Sequence, residues 1–305
     1  MRSVACRCAF AALLLSALAS AQPPGEDPGD FIKLGQGLMR QGKADDALEM
    51  FRHALQLTPD SFPANSAAGV AADLKGDYAA ARQYFAKAIE VARPEANKIR
   101  ALRDMAVSYG FEGACKGAVT YDRQAYDMEI AAKDFYNAGE VADELARLCI
   151  DAGDLDTAAE WYKTGHDAGL REPGIKPERV NLWEFRWEHA QARLAARRGD
   201  QAGAEKHAAA VRAILEKGDN PQQQQFLPYL TGYVAFYSGN YETAVAGFQK
   251  ANLNDAFILC MMAQAYEKLG AKAKALDCYR VALGFTSHNP PVAYARPLAK
   301  KKLAQ

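Results

Sequence analysis

Charge of one sign is missing from this sequence. Its 37 lysines and arginines are matched by 37 aspartates and glutamates. That balance gives no global field for nucleic acid or for an anionic membrane. Histidine is scarce: His53, His166, His189, His207 and His288 are scattered, with no pair one helical turn apart. None of the 6 cysteines stands in C-x-x-C spacing, which speaks against zinc and against thioredoxin-like chemistry. There is no G-x-S-x-G, no phosphate-binding glycine loop, no H-E-x-x-H and no G-x-G-x-x-G. Paired acids such as Asp45 and Asp46, or Glu140 and Asp143, fall at turns or helix starts, where the helix dipole favours them. These absences predict a chain that is not an enzyme and has neither cofactor nor metal. What remains is a composition of 50% hydrophobic and 24% charged residues, that of a soluble globular protein.

One long apolar run exists, and it stands at the start. Arg2 and Arg7 precede Phe10 to Leu18, and the small residues Ala19-Ser20-Ala21 follow. The run is too short for the about 20 residues a membrane span needs. Charged start, short apolar stretch and small-residue site together predict a signal peptide over 1–21, cut after Ala21, then a polar linker over 22–27. The mature chain is expected to be periplasmic or secreted, without stable membrane insertion. Cys6 and Cys8 would leave with the signal, and Cys115, Cys149, Cys260 and Cys278 would remain. An oxidising compartment permits disulfides. A Cys115–Cys149 bridge is conceivable, but free cysteine packs well as a small apolar residue, and two separate buried thiols are the favoured expectation.

The rest of the chain is periodic. Phe31 to Pro59 reads as two amphipathic helices around the turn Gln41-Gly42-Lys43, with Gly35, Ala47, Phe51 and Ala54 at fixed offsets. The next unit repeats the pattern with Gly69, Gly76-Asp77-Tyr78, Ala81, Phe85 and Ala88. Later units keep parts of it: Gly153-Asp154-Leu155 and Ala158, then Gly199-Asp200 and Ala204, then Gly232, Ala244 and Phe248, then Gly270, Ala275 and Tyr279. Pro173 to Glu184 reads as an insertion, in which Lys176-Pro177-Glu178 starts an unusually long helix.

A small residue in the first helix, with two small residues flanking an aromatic in the second, resembles the tetratricopeptide repeat. The resemblance implies an all-α fold, a right-handed α-solenoid of about seven helix-turn-helix repeats over 28–305. The repeats are placed at about 28–61, 62–95, 99–132, 139–172, 185–218, 225–255 and 256–289, and a capping helix at 292–305. Lys300, Lys301 and Lys302 are expected to form its solvated end.

The resemblance also implies a concave face lined by first helices. Offsets within each unit place Arg186, His189, Arg193 and Arg197 on that face in the fifth repeat. They place Phe226, Tyr229, Tyr233, Phe236 and Tyr237 there in the sixth, and Arg100 and Arg103 in the third. Phe226 and Phe236 are equally readable as core. Arginine forks match carboxylates and tyrosine offers wide contact area. The expected partner is therefore a protein or peptide with acidic and apolar side chains, or a C-terminal carboxylate. Charge reversal at Arg193 or Arg197 is expected to weaken partner capture with helicity intact. The lysine and asparagine clamp that some family members use on cytosolic chaperones is absent, since those slots hold Ile32, Gln36, Ser66 and Val70. An interaction scaffold is the primary expectation. An accessory subunit of an envelope secretion, pilus or cell-wall machine is the alternative.

Overall fold

Polar caps and glycine stops set the helix boundaries. A computed structural model describes residues 27–305. The predicted signal peptide and all but the last residue of the predicted linker lie outside the described residues. The helices pair in chain order: α1 (Pro28–Arg40) with α2 (Ala44–Leu57), α3 (Phe62–Lys75) with α4 (Tyr78–Val91), α5 (Glu95–Gly110) with α6 (Cys115–Ala131), and α7 (Phe135–Ala152) with α8 (Leu155–Gly169). Then come α9 (Pro177–Arg197) with α10 (Gln201–Glu216), α11 (Leu227–Tyr237) with α12 (Tyr241–Gln249), α13 (Ala256–Lys268) with α14 (Lys272–Leu283), and finally α15 (Pro290–Leu303). A 3-10 turn over Pro221–Phe226 leads into α11. Among the described residues there is no strand.

Asp77, Asp154, Asp200 and Asn240 each cap the second helix of a pair by accepting a bond from the third residue on. Gly76 and Gly153 end α3 and α7 at φ of 104° and 90°, a region that costs a side chain dearly. Within a pair the helices touch at the small residues. A Cβ on Gly69 would sit 2.5 Å from Phe85 Cε1, so the ring lies directly on the glycine of its own hairpin. The insertion, which runs into the first turns of α9, has a packing role that periodicity does not reveal. Trp183 is fully buried against Gly139 and Gly169, and its Nε1 donates to Glu172 at 3.1 Å. A Cβ on Gly169 would fall 1.9 Å from Trp183 Cε2. Gly169→Ala is expected to cost about 1–3 kcal/mol through overpacking, read as a shift in the denaturation midpoint.

Successive first helices also touch, α1 on α3, α3 on α5, α5 on α7, α9 on α11 and α11 on α13, which places them on the inner side of an α-solenoid. That succession of close neighbours breaks between α7 and α9, where the insertion lies.

The C-terminal segment covers α13 and α14, as a capping helix should, and then does more. It packs back on α5 and α7. His288 enters between α3 and α5, with Nε2 2.8 Å from Asp73 Oδ2 and Nδ1 3.4 Å from Asp104 Oδ1. Arg296 donates to Leu74 O at 2.6 Å, and Lys300 to Lys75 O at 2.7 Å. The lysine run is thus not simply solvated: Lys300 caps the end of α3, and Lys302 Nζ lies 2.8 Å from Glu267. The inner face of the second to fourth repeats is held by the chain's own C-terminal end.

Cys115 and Cys149 are disulfide-bonded, which overturns the expectation of two separate thiols. Cys115 begins α6 and Cys149 lies near the end of α7, and the packing of α6 on α7 brings their Cα atoms to 4.8 Å.

Candidate functional site

Where α7 and α9 part, a cavity of about 440 Å³ opens on the inner face. Its floor comes from α7 and α9, with Glu140, Asp143 and Arg147 facing Arg186, His189 and Arg193. Phe226 from the 3-10 turn and Tyr229 from α11 form one wall, and Pro290 and Pro291 at the start of α15 close another. The long α9 is what allows this. Pro177 at its first turn, after Lys176, begins a helix that carries its basic side chains past the α7–α8 pair.

Charges in the cavity are mostly paired. Arg186 NH2 lies 2.5 Å from Glu140 Oε1, and Arg147 Nε lies 3.2 Å from Asp151 Oδ2, with its guanidinium over the Phe257 ring. Burial raises the Asp143 carboxyl to about 7 against the pull of Arg186. Arg193 differs. It is only 6% exposed, and its one bond to the protein runs from NH2 to Tyr162 Oη at 2.8 Å. Its Nε has no protein partner, nor do His189 Nε2 and the Tyr229 hydroxyl. Burial, and then the guanidiniums of Arg193 and Arg147, push the His189 imidazole well below its ordinary value, so it is neutral.

The structure gathers five of the eleven nominated residues here: Arg186, His189, Arg193, Phe226 and Tyr229. It places the others elsewhere. Arg197 lies half-buried with its guanidinium over the Tyr237 ring, and Phe236 and Tyr237 are half-buried against each other. Tyr233 is fully buried and packs on Phe257 of α13 rather than facing an open groove. Tyr229 too is 5% exposed, a cavity wall rather than a free surface. The reason is closeness: α11 meets α9 on one side and α13 on the other, so positions that face inward are covered by neighbouring first helices. Arg193 is buried for the same reason, so its charge reversal would disrupt the fold and cannot serve as a surface probe. Arg100 and Arg103 line a separate cavity that includes His288, and Arg103 NH2 already meets Glu144 at 2.7 Å.

Sequence reasoning missed Arg147, Tyr162, Asp143 and the two prolines. Tyr162 is buried on α8, and its hydroxyl accepts from Arg193 NH2. Among the described residues no group of His, Cys, Asp or Glu is placed to hold a metal ion, and no helix is long and apolar enough to cross a membrane.

Residues 32–97 and 258–288 match family models of the tetratricopeptide repeat. No curated protein matches the chain. Among solved structures, a tetratricopeptide repeat protein from Parabacteroides merdae is 14% identical at a TM-score of 0.51, with 92% of this chain and 98% of that one covered. Aspartyl phosphate phosphatase F from Bacillus subtilis is 13% identical at a TM-score of 0.59, covering 85% and 72%. A Rap protein complexed with competence and sporulation factor is 14% identical at 0.51, covering 91% and 76%. At such identities the likeness is one of fold. With the repeat matched near both ends of an array of paired helices, the chain carries tetratricopeptide repeats over 32–97 and 258–288 within an α-solenoid.

Proposed function

We propose that this chain is an exported, non-catalytic scaffold that takes a peptide or protein partner in the inner-face cavity between α7, α9 and α11. The observation that carries the reading is the cavity wall itself, in which buried polar atoms without protein partners stand beside exposed Phe226. A wall of that kind suits an extended segment with an apolar anchor and a polar group. The Rap protein in the fold comparison is described in complex with competence and sporulation factor, which makes a ligand-taking array of this kind a reasonable reading. Export is supported by the leader-like sequence before Gln22 and by the Cys115–Cys149 bond, which suits an oxidising compartment.

Photocrosslinking in envelope fractions tests the reading. A crosslinker at Phe226, on the cavity rim, is expected to capture a discrete partner, while one at Val281, exposed on an outer helix, is not. Phe226→Ala is expected to weaken that complex by about 2 kcal/mol, the loss of one aromatic anchor, with helicity and midpoint unchanged. Capture through Val281 alone would favour an accessory subunit that works through its outer face.

A further inference from the structure

We infer that Arg193, His189 and Tyr229 form a buried receptor for a single carboxylate, the anchoring group of whatever occupies the cavity. The inference rests on the cavity being the binding site and adds the chemistry of its occupant.

Buried polar atoms are nearly always hydrogen-bonded, and each one left without a partner costs about 1–3 kcal/mol. Arg186 NH1 and Glu140 Oε1 sit within an ion pair, and the three such atoms left on cavity-lining residues are Arg193 Nε, His189 Nε2 and Tyr229 Oη. They are on residues at least nine-tenths buried. The His189 and Tyr229 rings are 5.6 Å apart, and Arg193 stands one turn beyond His189 on α9. All three can donate: a guanidinium N–H, an imidazole N–H with the proton on Nε2, and a phenol O–H. Three groups able to donate together fit an anion with several lone pairs.

Charge identifies the anion further. Three other arginines of the inner face have carboxylate partners: Arg147 has Asp151, Arg186 has Glu140 and Arg103 has Glu144. Arg193 has only a tyrosine hydroxyl. A buried guanidinium with no direct ion pair is costly, and Asp143 and Asp151 act on Arg193 only from beyond contact distance, so an incoming anion supplies the contact pair it lacks. The same cavity is lined by the carboxylates of Glu140, Asp143, Glu144 and Asp255. A doubly charged phosphate would be repelled there, whereas a singly charged carboxylate keeps the pairing with Arg193 and minimises the repulsion. Next to the donors lie Phe185, Phe226 and Ile258, which offer an apolar side chain a place beside its carboxylate.

The carboxylate could be a chain terminus or an acidic side chain. Full-chain protein with isotope-labelled histidine would be titrated with three probes: acetyl-Ala-Phe as the free acid, acetyl-Ala-Phe amide, and acetyl-Phe-Glu amide. The free acid is expected to shift the His189 resonance and to raise its titration midpoint by about one unit or more, because an adjacent anion favours the charged imidazole. The capped Phe amide is expected to bind at least about tenfold more weakly, the loss of a charge-assisted bond. The Glu amide distinguishes the sources: equal binding to the acid assigns side chains, weaker binding assigns a terminus. Tyr229→Phe, which removes one hydroxyl, is expected to cost about tenfold, and Arg193→Gln to abolish the preference for acid over amide. If acid and amide bind alike, the carboxylate inference fails while the cavity remains a binding site. If no probe moves His189 at millimolar concentration, the receptor is overturned, and photocrosslinking at Phe226 still decides the scaffold reading by itself.

Discussion

His288→Ala is expected to lower the unfolding free energy by about 3–5 kcal/mol, the range for breaking a buried ion pair from one side. The His288 side chain is 5% exposed and that of Asp73 is 0% exposed. Asp73 also accepts from Ser108 Oγ at 2.9 Å, and Ser66 Oγ donates to Asp104 at 3.3 Å, so the cluster ties α3 and α5 to the C-terminal segment. The rings of Phe85 and Phe111 pack on the imidazole and keep water out. Burial opposes the imidazolium, but the carboxylates of Asp104 and Asp73 outweigh it and raise His288 to about 9. Burial raises the Asp73 carboxyl, and its bonds from His288 and Ser108 hold it back.

The pH dependence follows from the sign of the His288 shift. A histidine raised in the folded state contributes stability that is whole below about 6.5 and lost as pH climbs through about 9. A shift from 6.5 to about 9 corresponds to about 3 kcal/mol. Denaturation curves taken from pH 6.5 to pH 10 are expected to show that loss in the native chain and a flat profile in His288→Ala. His288→Ala combined with Asp73→Asn is expected to recover part of the deficit, since the stranded carboxylate is neutralised. Hydrogen exchange should rise first in α15, whose cations Arg296 and Lys300 hold the carbonyls that end α3. A native chain whose stability does not change over this range would sink the account.

The repeats were legible because helix pairs must approach at small residues, and small residues leave a strict mark. Gly35 under Phe51, Gly69 under Phe85 and Gly232 under Phe248 are three instances of one contact, and each can be read from spacing alone. The start of α9 was legible as well, because a proline after a polar residue is a local signal. The candidate site was legible only in its residue types. Arg186, His189, Arg193, Phe226 and Tyr229 were nominated from helical offsets and do meet in one cavity. The same offsets put Tyr233 in an open groove, where the structure buries it beneath Phe257. Offsets report the direction of a side chain from its own helix, whereas burial depends on how closely the next repeat follows. For Tyr233 that closeness comes from α11 lying against both α9 and α13. The return of the C-terminal segment was illegible for a related reason. His288 and Asp73 are 215 residues apart, and nothing periodic links them.

Replacing Cys115 and Cys149 by alanine is expected to cost about 4 kcal/mol, the chain-entropy value for opening a loop of 34 residues. Stability in a repeat array is a sum of units and of the interfaces between neighbours. The bond joins the first residue of α6 to α7, so its loss falls on the interface between the third and fourth repeats. Alanine is the right replacement, because both sulfurs are buried and serine would add an unsatisfied hydroxyl to the deficit. A reductant should lower the denaturation midpoint of the native chain by the same amount and leave the alanine variant unmoved. The junction has a second tie, since α15 packs on both α5 and α7 and Ala293 lies within reach of Gly110. The two ties should therefore couple. With the disulfide open, His288→Ala is expected to uncouple the first three repeats from the rest and give two unfolding transitions where the native chain gives one. With the disulfide closed, the same substitution should leave a single, earlier transition. A reduced chain that unfolds at the native midpoint would mean that α15 alone holds the junction, and the coupling predicted here would be absent.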